Sequence, residues 1–143
     1  MNKYLQVDSR WAGRNLDSVP YTIGRWGCLD TSIANGREAI GMSKLNPKEL
    51  SELIKFTKDG LLIWDSLPAV GIKKVLYTYG WNAERAKEAL KSPDEFCVVE
   101  LSGYHWGLIW STFPMIRILD PLSGVRFLYP KYKITKTVIL QKI

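Results

Sequence analysis

The sequence predicts an α+β fold in which N-terminal helices pack on a C-terminal antiparallel β-sheet. Between residues 28 and 90, apolar residues recur at steps of three and four, which is the period of an amphipathic helix. After residue 95, short runs of β-branched and aromatic residues alternate with turn-forming residues, a pattern typical of strands. A block of helices followed by a block of strands indicates an α+β architecture.

Four helices are predicted. The chain before Cys28 is rich in Asp, Ser, Arg, Gly and Pro, and we expect an irregular arm there. The first helix begins at Cys28 and stops at Gly41. The second follows Asn46, a favoured N-cap, with Pro47 at its first position, and runs to near Gly60. Two shorter helices are expected at residues 64–70 and 83–90.

Five strands are predicted after the helices. They occupy residues 96–101, 105–110, 115–119, 125–129 and 135–140. Short connections favour antiparallel pairing of consecutive strands, so we expect a meander. No linker-like stretch separates the helices from the strands, which predicts a single domain over residues 1–143.

The composition is ordinary for a soluble globular protein, with 46% hydrophobic and 24% charged residues. Because no run of 18 apolar residues occurs, no membrane span is expected. The N-terminal residues lack the apolar core of a signal peptide, which favours a cytoplasmic or phage-delivered protein. Two cysteines do not suggest a disulfide framework, so a reducing compartment is the simpler interpretation.

The net charge is +6, and the basic residues are spread along the chain without a dense block. This balance mildly favours anionic partners, although a solvated lysine-rich surface is the simpler interpretation. Nucleic acid is not the expected partner, because only charge and aromatic content point to it.

The sequence contains a single histidine, His105. One imidazole excludes HExxH zinc sites and every metal site that needs two histidines. No glycine-rich phosphate loop occurs either, so neither a metal nor a cofactor is predicted. An enzyme that pairs a nucleophile with an imidazole base would have to use His105 as that base.

Cys28 is the candidate nucleophile. It follows Gly27 at the predicted helix start, where free N–H groups and the helix dipole favour a thiolate. These N–H groups, including that of Cys28, can also stabilise an oxyanion. Gly27 would let the substrate backbone approach closely. A small buried residue at a helix start is the simpler explanation of the Gly-Cys pair taken alone.

Cys97 is the weaker candidate for a nucleophile. It lies inside a predicted apolar strand, where we expect its side chain to be buried. Burial raises the pKa of a thiol and lowers its reactivity, so a structural role is predicted.

Asp120 is the candidate partner of His105. If residues 105–110 and 115–119 pair through a four-residue loop, Ile109 lies opposite Ile116, and His105 lies opposite Asp120. Opposed residues of an antiparallel pair have Cβ atoms about 5 Å apart, which suits a hydrogen bond from imidazole to carboxylate. Taken alone, a half-buried strand histidine and a turn-forming Asp-Pro pair are the simpler explanations.

Several short segments resemble those of one enzyme family. They are residues 5–11 (LQVDSRW), 21–24 (YTIG), 27–34 (GCLDTSIA), 46–50 (NPKEL), 104–107 (YHWG) and 120–124 (DPLSG). In this order they resemble the stand-alone papain-like cysteine peptidases related to the double-glycine-leader (bacteriocin-processing) peptidases. The resemblance covers nearly the whole chain.

The resemblance implies a papain-like fold and a cysteine peptidase with a triad of Cys28, His105 and Asp120. It also implies that Gln6, as the glutamine before the nucleophile, completes the oxyanion hole together with Cys28. Trp106 is expected to contact substrate because it adjoins His105. The substrate would be a peptide, a protein or a peptidoglycan stem peptide.

Two alternatives to a peptidase remain open. An amidase, deamidase or transglutaminase would use the same thiol, base and oxyanion hole, and an inactive relative would only bind peptides. Asp30, two positions after Cys28, would either repel a thiolate or point away as an acid of the first helical turn.

Overall fold

The computed structural model describes residues 3–16 and 19–143, and it has an α+β architecture. The helices are α1 (Ile23–Trp26), α2 (Cys28–Ala39), α3 (Pro47–Leu53) and α4 (Ala83–Lys91), with 3-10 helices at Trp64–Val70 and Lys131–Lys133. The strands are β1 (Ile72–Tyr79), β2 (Glu95–Leu101), β3 (His105–Ser111), β4 (Arg117–Leu119), β5 (Arg126–Leu128) and β6 (Ile134–Lys142).

The six strands form one sheet in the order β1-β6-β2-β3-β4-β5, and all neighbours are antiparallel. The predicted meander is confirmed from β2 to β5. It is wrong for β6, which returns to lie between β2 and β1. Strand β1 was not predicted, because consecutive Lys73 and Lys74 hide its alternation, and a bulge interrupts its pairing before Leu76.

Helices cover both faces of the sheet. On one face, Ile33 of α2 and Leu50 of α3 pack with Val98 and Leu108 in the larger buried cluster. On the opposite face, α4 contributes Ala86 and Ala89 to a second cluster. The alternation of side chains along each strand therefore divides the core into two layers.

Helix α3 is shorter than predicted. The Asn46 N-cap is confirmed by a capping box with Glu49, but the helix ends at Leu53 instead of near Gly60. Residues after Leu53 form a small turn that brings Phe56 opposite Leu62. Gly60 has a φ of 82°, a conformation that glycine adopts without strain and that a helix cannot contain.

The predicted N-terminal arm is irregular apart from the single turn of α1, with residues 17–18 lying outside the described residues. Hydrogen bonds to α2 and to the turn after β4 hold the arm in place. The amide of Asn35 in α2 bonds both backbone groups of Tyr4, at 2.7 and 3.1 Å. The backbone N–H of Gln6 donates to the carbonyl of Pro121 at 2.8 Å. These contacts place Gln6 between α2 and the turn after β4.

Among the described residues, no helix has both the length and the apolar character needed to cross a membrane.

Candidate active site

Cys28 is the first residue of α2, as predicted. Gly27 precedes it as the N-cap and is buried against Ile23, where a Cβ would approach the Ile23 carbonyl oxygen to 2.6 Å. The close packing at the α1–α2 junction therefore explains why position 27 is a glycine. Its contact with a substrate stays a prediction.

Three backbone N–H groups face the Cys28 sulfur. They belong to Cys28 itself, to Leu29 in the same helical turn and to Trp106 at the start of β3, and each favours the thiolate. Burial outweighs them, and with the negative charge of Asp120 it raises the pKa of the Cys28 thiol above its ordinary value. The N–H groups of the helix start therefore favour the thiolate as predicted, but burial has the larger effect on the pKa of Cys28.

His105 and Asp120 are directly bonded, with Nε2 of His105 2.9 Å from Oδ1 of Asp120. The predicted register is nonetheless wrong, since Ile109 lies opposite Ile118 rather than Ile116. The hairpin loop is longer than predicted because β4 begins only at Arg117. A shift of two residues keeps each side chain on its face of the sheet, so the carboxylate remains within reach of the imidazole.

Asp120 accepts three hydrogen bonds. Its Oδ1 accepts from His105 and from the N–H of Leu122 at 3.1 Å, and its Oδ2 accepts from the Ser123 hydroxyl at 2.9 Å. Burial acts to raise the pKa of this carboxyl, but the bonds from His105, Leu122 and Ser123 together lower it. The carboxylate is therefore ionised and fixed in direction at neutral pH.

Gln6 is buried, with 2% of its surface exposed. Its Nε2 donates to the carbonyl of Gly24 at 3.3 Å, while its Oε1 has no partner among the described residues. Because a glutamine amide carries two N–H bonds, a second donor remains after the bond to Gly24. Gln6 thus has the donor that the predicted oxyanion role requires.

A cleft of about 480 Å³ brings these residues together. Cys28, His105, Trp106 and Gln6 all line it. Its opposite wall is the turn after α3, which contributes residues 56 and 59–62. The structure thus gathers on one cleft a thiol, an imidazole bonded to a carboxylate, and donors for an oxyanion.

Asp30 also lines this cleft, and 2% of its surface is exposed. Neither carboxyl oxygen has a hydrogen-bond partner among the described residues. Burial raises the pKa of Asp30 well above its ordinary value. Burial thus favours the neutral form of this carboxyl, which repels a thiolate less than the charged form would.

Cys97 is fully buried in the cluster beneath α4. Burial raises the pKa of its thiol strongly, far more than the nearby Arg85 lowers it. Its predicted burial in an apolar strand is confirmed.

Several contributors to the site were not found from sequence. The backbone N–H of Trp106 has no signature of its own, since any residue at that position would supply it. Leu122 and Ser123 lie in the DPLSG segment, in which Asp, Pro, Ser and Gly together indicate a turn. An Asp side chain in such a turn commonly accepts hydrogen bonds from residues that follow it, and this was the available signal. The described residues contain no group of three His, Cys, Asp or Glu side chains able to hold a metal ion.

Comparison with protein families, curated proteins and solved structures finds no match to this chain.

Proposed function

We propose that the protein is a cysteine peptidase with a papain-like fold, which cleaves a peptide or amide bond with a triad of Cys28, His105 and Asp120. The observation that carries the proposal is the 2.9 Å bond from His105 Nε2 to Asp120 Oδ1, in a cleft that Cys28 also lines. With Nε2 engaged by the carboxylate, Nδ1 is the ring nitrogen left to act as a base.

The imidazole tautomer follows from the carboxylate. The ionised carboxylate of Asp120 can only accept a hydrogen bond, so His105 Nε2 must be the donor. The neutral ring therefore carries its proton on Nε2 and its lone pair on Nδ1. Burial disfavours the Cys28 thiolate, so Nδ1 is proposed to remove the thiol proton as the sulfur attacks the substrate carbonyl. Such burial favours general-base attack over a preformed thiolate–imidazolium pair.

The attack converts the carbonyl oxygen to an oxyanion. The backbone N–H of Cys28 and the second N–H of Gln6 are the proposed donors to it. The imidazolium, stabilised by Asp120, then returns its proton to the leaving amine, and a thioester to Cys28 remains. Water, deprotonated by His105, attacks this thioester and releases the acid and the free thiol.

A papain-like arrangement is supported by how the site is assembled. The nucleophile begins a helix that packs on an antiparallel sheet, and the base lies on a strand of that sheet. The Ser32 hydroxyl of α2 donates to the carbonyl of Trp106 at 3.5 Å, which links the helix and the strand close to Cys28 and His105.

The proposed substrate is a peptide, a protein or a peptidoglycan stem peptide. An amidase, deamidase or transglutaminase would share every step up to the thioester and differ in the leaving group or the second nucleophile. An inactive peptide-binding protein is the second candidate, and the raised pKa of Cys28 favours it.

Incubation with a peptide library from a digested bacterial lysate, followed by mass spectrometry, tests the proposal. We expect new peptide termini with the wild type, none with Cys28→Ala, and undiminished cleavage with Cys97→Ala as the matched control. Mass changes at glutamine without new termini would identify a deamidase or transglutaminase instead. Unchanged peptides with a folded wild type, both in this library and in isolated peptidoglycan stem peptides, would leave only the binding protein.

A further inference from the structure

A row of four side chains crosses the sheet beside the cleft. Trp106 of β3 lies opposite Glu100 of β2, and Glu100 lies opposite Lys136 of β6. Lys136 in turn lies opposite Tyr79 of the edge strand β1. Since opposed residues project from the same face, the four side chains form one line that starts next to His105.

Two further aromatic residues border this line. The ring of Trp64 lies 5.8 Å from that of Trp106 and 5.8 Å from that of Tyr77, and Tyr77 lies 5.7 Å from Tyr79. Aromatic surface therefore continues from the cleft to the sheet edge. We call the set of Trp64, Tyr77, Tyr79, Glu100, Trp106 and Lys136 the lateral shelf.

The shelf adjoins the cleft and becomes more exposed toward β1. Glu100 and Trp106 line the cleft itself. At the far end Tyr79 is 79% exposed, and between them the Lys136 side chain is 27% exposed. A chain that leaves the cleft at Trp106 thus passes over the buried Glu100 and meets more exposed side chains toward β1.

The uncompensated charge at the shelf is positive. The charge of Glu100 is balanced by Lys136, whose Nζ lies 3.3 Å from Oε2, and Oε1 accepts a hydrogen bond from the Thr135 hydroxyl at 2.8 Å. Lys74 Nζ lies 5.4 Å from the ring of Tyr77 and 6.0 Å from that of Trp64. Within the described part of the chain Lys74 makes no ion pair, so its ammonium is available to an anionic partner.

We propose that the lateral shelf is an extended subsite for the substrate peptide and that Lys74, which borders it, selects an acidic side chain there. The ring of Trp64 lies 5.8 Å from that of Trp106 and 6.0 Å from Lys74 Nζ, so this ammonium is at most about 12 Å from the Trp106 ring. An extended peptide advances about 3.3 Å per residue, which places the acidic residue three or four positions from the cleaved bond. The aromatic rings pack against the intervening residues.

This inference rests on the proposed peptidase function, and cleavage profiling tests it separately. In the lysate peptide library, we expect Asp or Glu to be enriched, roughly fivefold, three or four positions from the bond on one side only. Lys74→Glu should abolish the enrichment and favour Lys or Arg there. Lys73→Glu is the matched control, because it makes the same charge change one residue away on the opposite face of the strand.

The two proposals fail in different ways. Cleavage that depends on Cys28 but shows no acidic preference, or that shifts equally in Lys74→Glu and Lys73→Glu, would overturn the subsite and leave the peptidase standing. Absence of any Cys28-dependent cleavage would overturn both.

Discussion

At the scale of single residues, the site depends on how Asp120 is held. Its carboxylate has three donors, one of which is the imidazole proposed as the base. The other two, from Leu122 and Ser123, fix the direction in which Oδ1 faces His105. The turn after β4 therefore orients Asp120 toward His105 in addition to connecting two strands.

Substitution of Asp120 should separate orientation from charge. Asp120→Asn keeps an oxygen that can accept from Nε2 but loses the charge that stabilises the imidazolium, whereas Asp120→Ala loses both. We expect roughly a tenfold loss of kcat in Asp120→Asn and a hundredfold or greater loss in Asp120→Ala. Steady-state kinetics on one cleaved peptide measures both, and equal activity in the wild type and Asp120→Ala would exclude Asp120 from the triad.

Asp30 should make the free energy of unfolding depend on pH. Its pKa is raised in the folded protein and ordinary, about 3.9, in the unfolded chain, so above that pH the folded state holds the extra proton. Stability then falls as pH rises above about 4, by at most about 1.4 kcal/mol per pH unit, until the folded-state pKa is passed. Asp30→Asn should remove this slope.

Urea unfolding at several pH values between 5 and 8 measures that slope. The exposed acid Asp59, also on the cleft wall, supplies the control variant Asp59→Asn, which should leave the slope unchanged. An identical slope in wild type and Asp30→Asn would show that the buried carboxyl is not the group responsible.

At the scale of elements, α2 can carry Cys28 to the sheet because Gly36 lets the helix approach β2. A Cβ at Gly36 would come within 2.2 Å of the Phe96 ring, which is itself buried. The sequence places Gly36 in the apolar stripe of the helix. The close approach of β2 to this glycine depends on the tertiary structure, so it could not be predicted from the sequence.

Gly36→Ala should destabilise the protein although alanine is the better helix former. The gain in helix propensity is about 1 kcal/mol, and the overpacking against Phe96 costs about 1–3 kcal/mol, so a net loss is expected. Gly13→Ala is the control, since nothing lies within 4 Å of a Cβ there. Thermal unfolding measures both, and a Gly36→Ala protein as stable as the wild type would contradict the close packing of α2.

The elements also show which features sequence could predict. The start of α2, the capping box of α3 and strands β2 to β6 depend on local patterns, and these were predicted. Strand β1 was missed because it is an edge strand whose exposed lysines mask its period, and Gly60 was placed at a helix end although it belongs to a turn. The hairpin register also failed, because loop length cannot be derived from strand composition.

At the scale of the whole molecule, the site joins segments that are far apart in sequence. The N-terminal arm brings Gln6, the first long helix brings Cys28, and the β3–β4 hairpin brings His105 and Asp120. Residue type and order point to Cys28, His105 and Asp120, whereas Gln6 is a candidate only through the family resemblance. The raised pKa of Cys28 could not be predicted, because it comes from burial by the assembled fold rather than from the helix start.

Acylation by p-nitrophenyl acetate tests the triad most directly, because the probe needs no knowledge of the natural substrate. A nucleophile activated by His105 predicts rapid release of nitrophenol at neutral pH, with the acetyl group found by mass spectrometry on Cys28 and then hydrolysed. In His105→Ala, acetylation should be slower by roughly 10²-fold or more. Acetylation of Cys28 at equal rates in the wild type and His105→Ala, or its appearance on Cys97 instead, would contradict the triad.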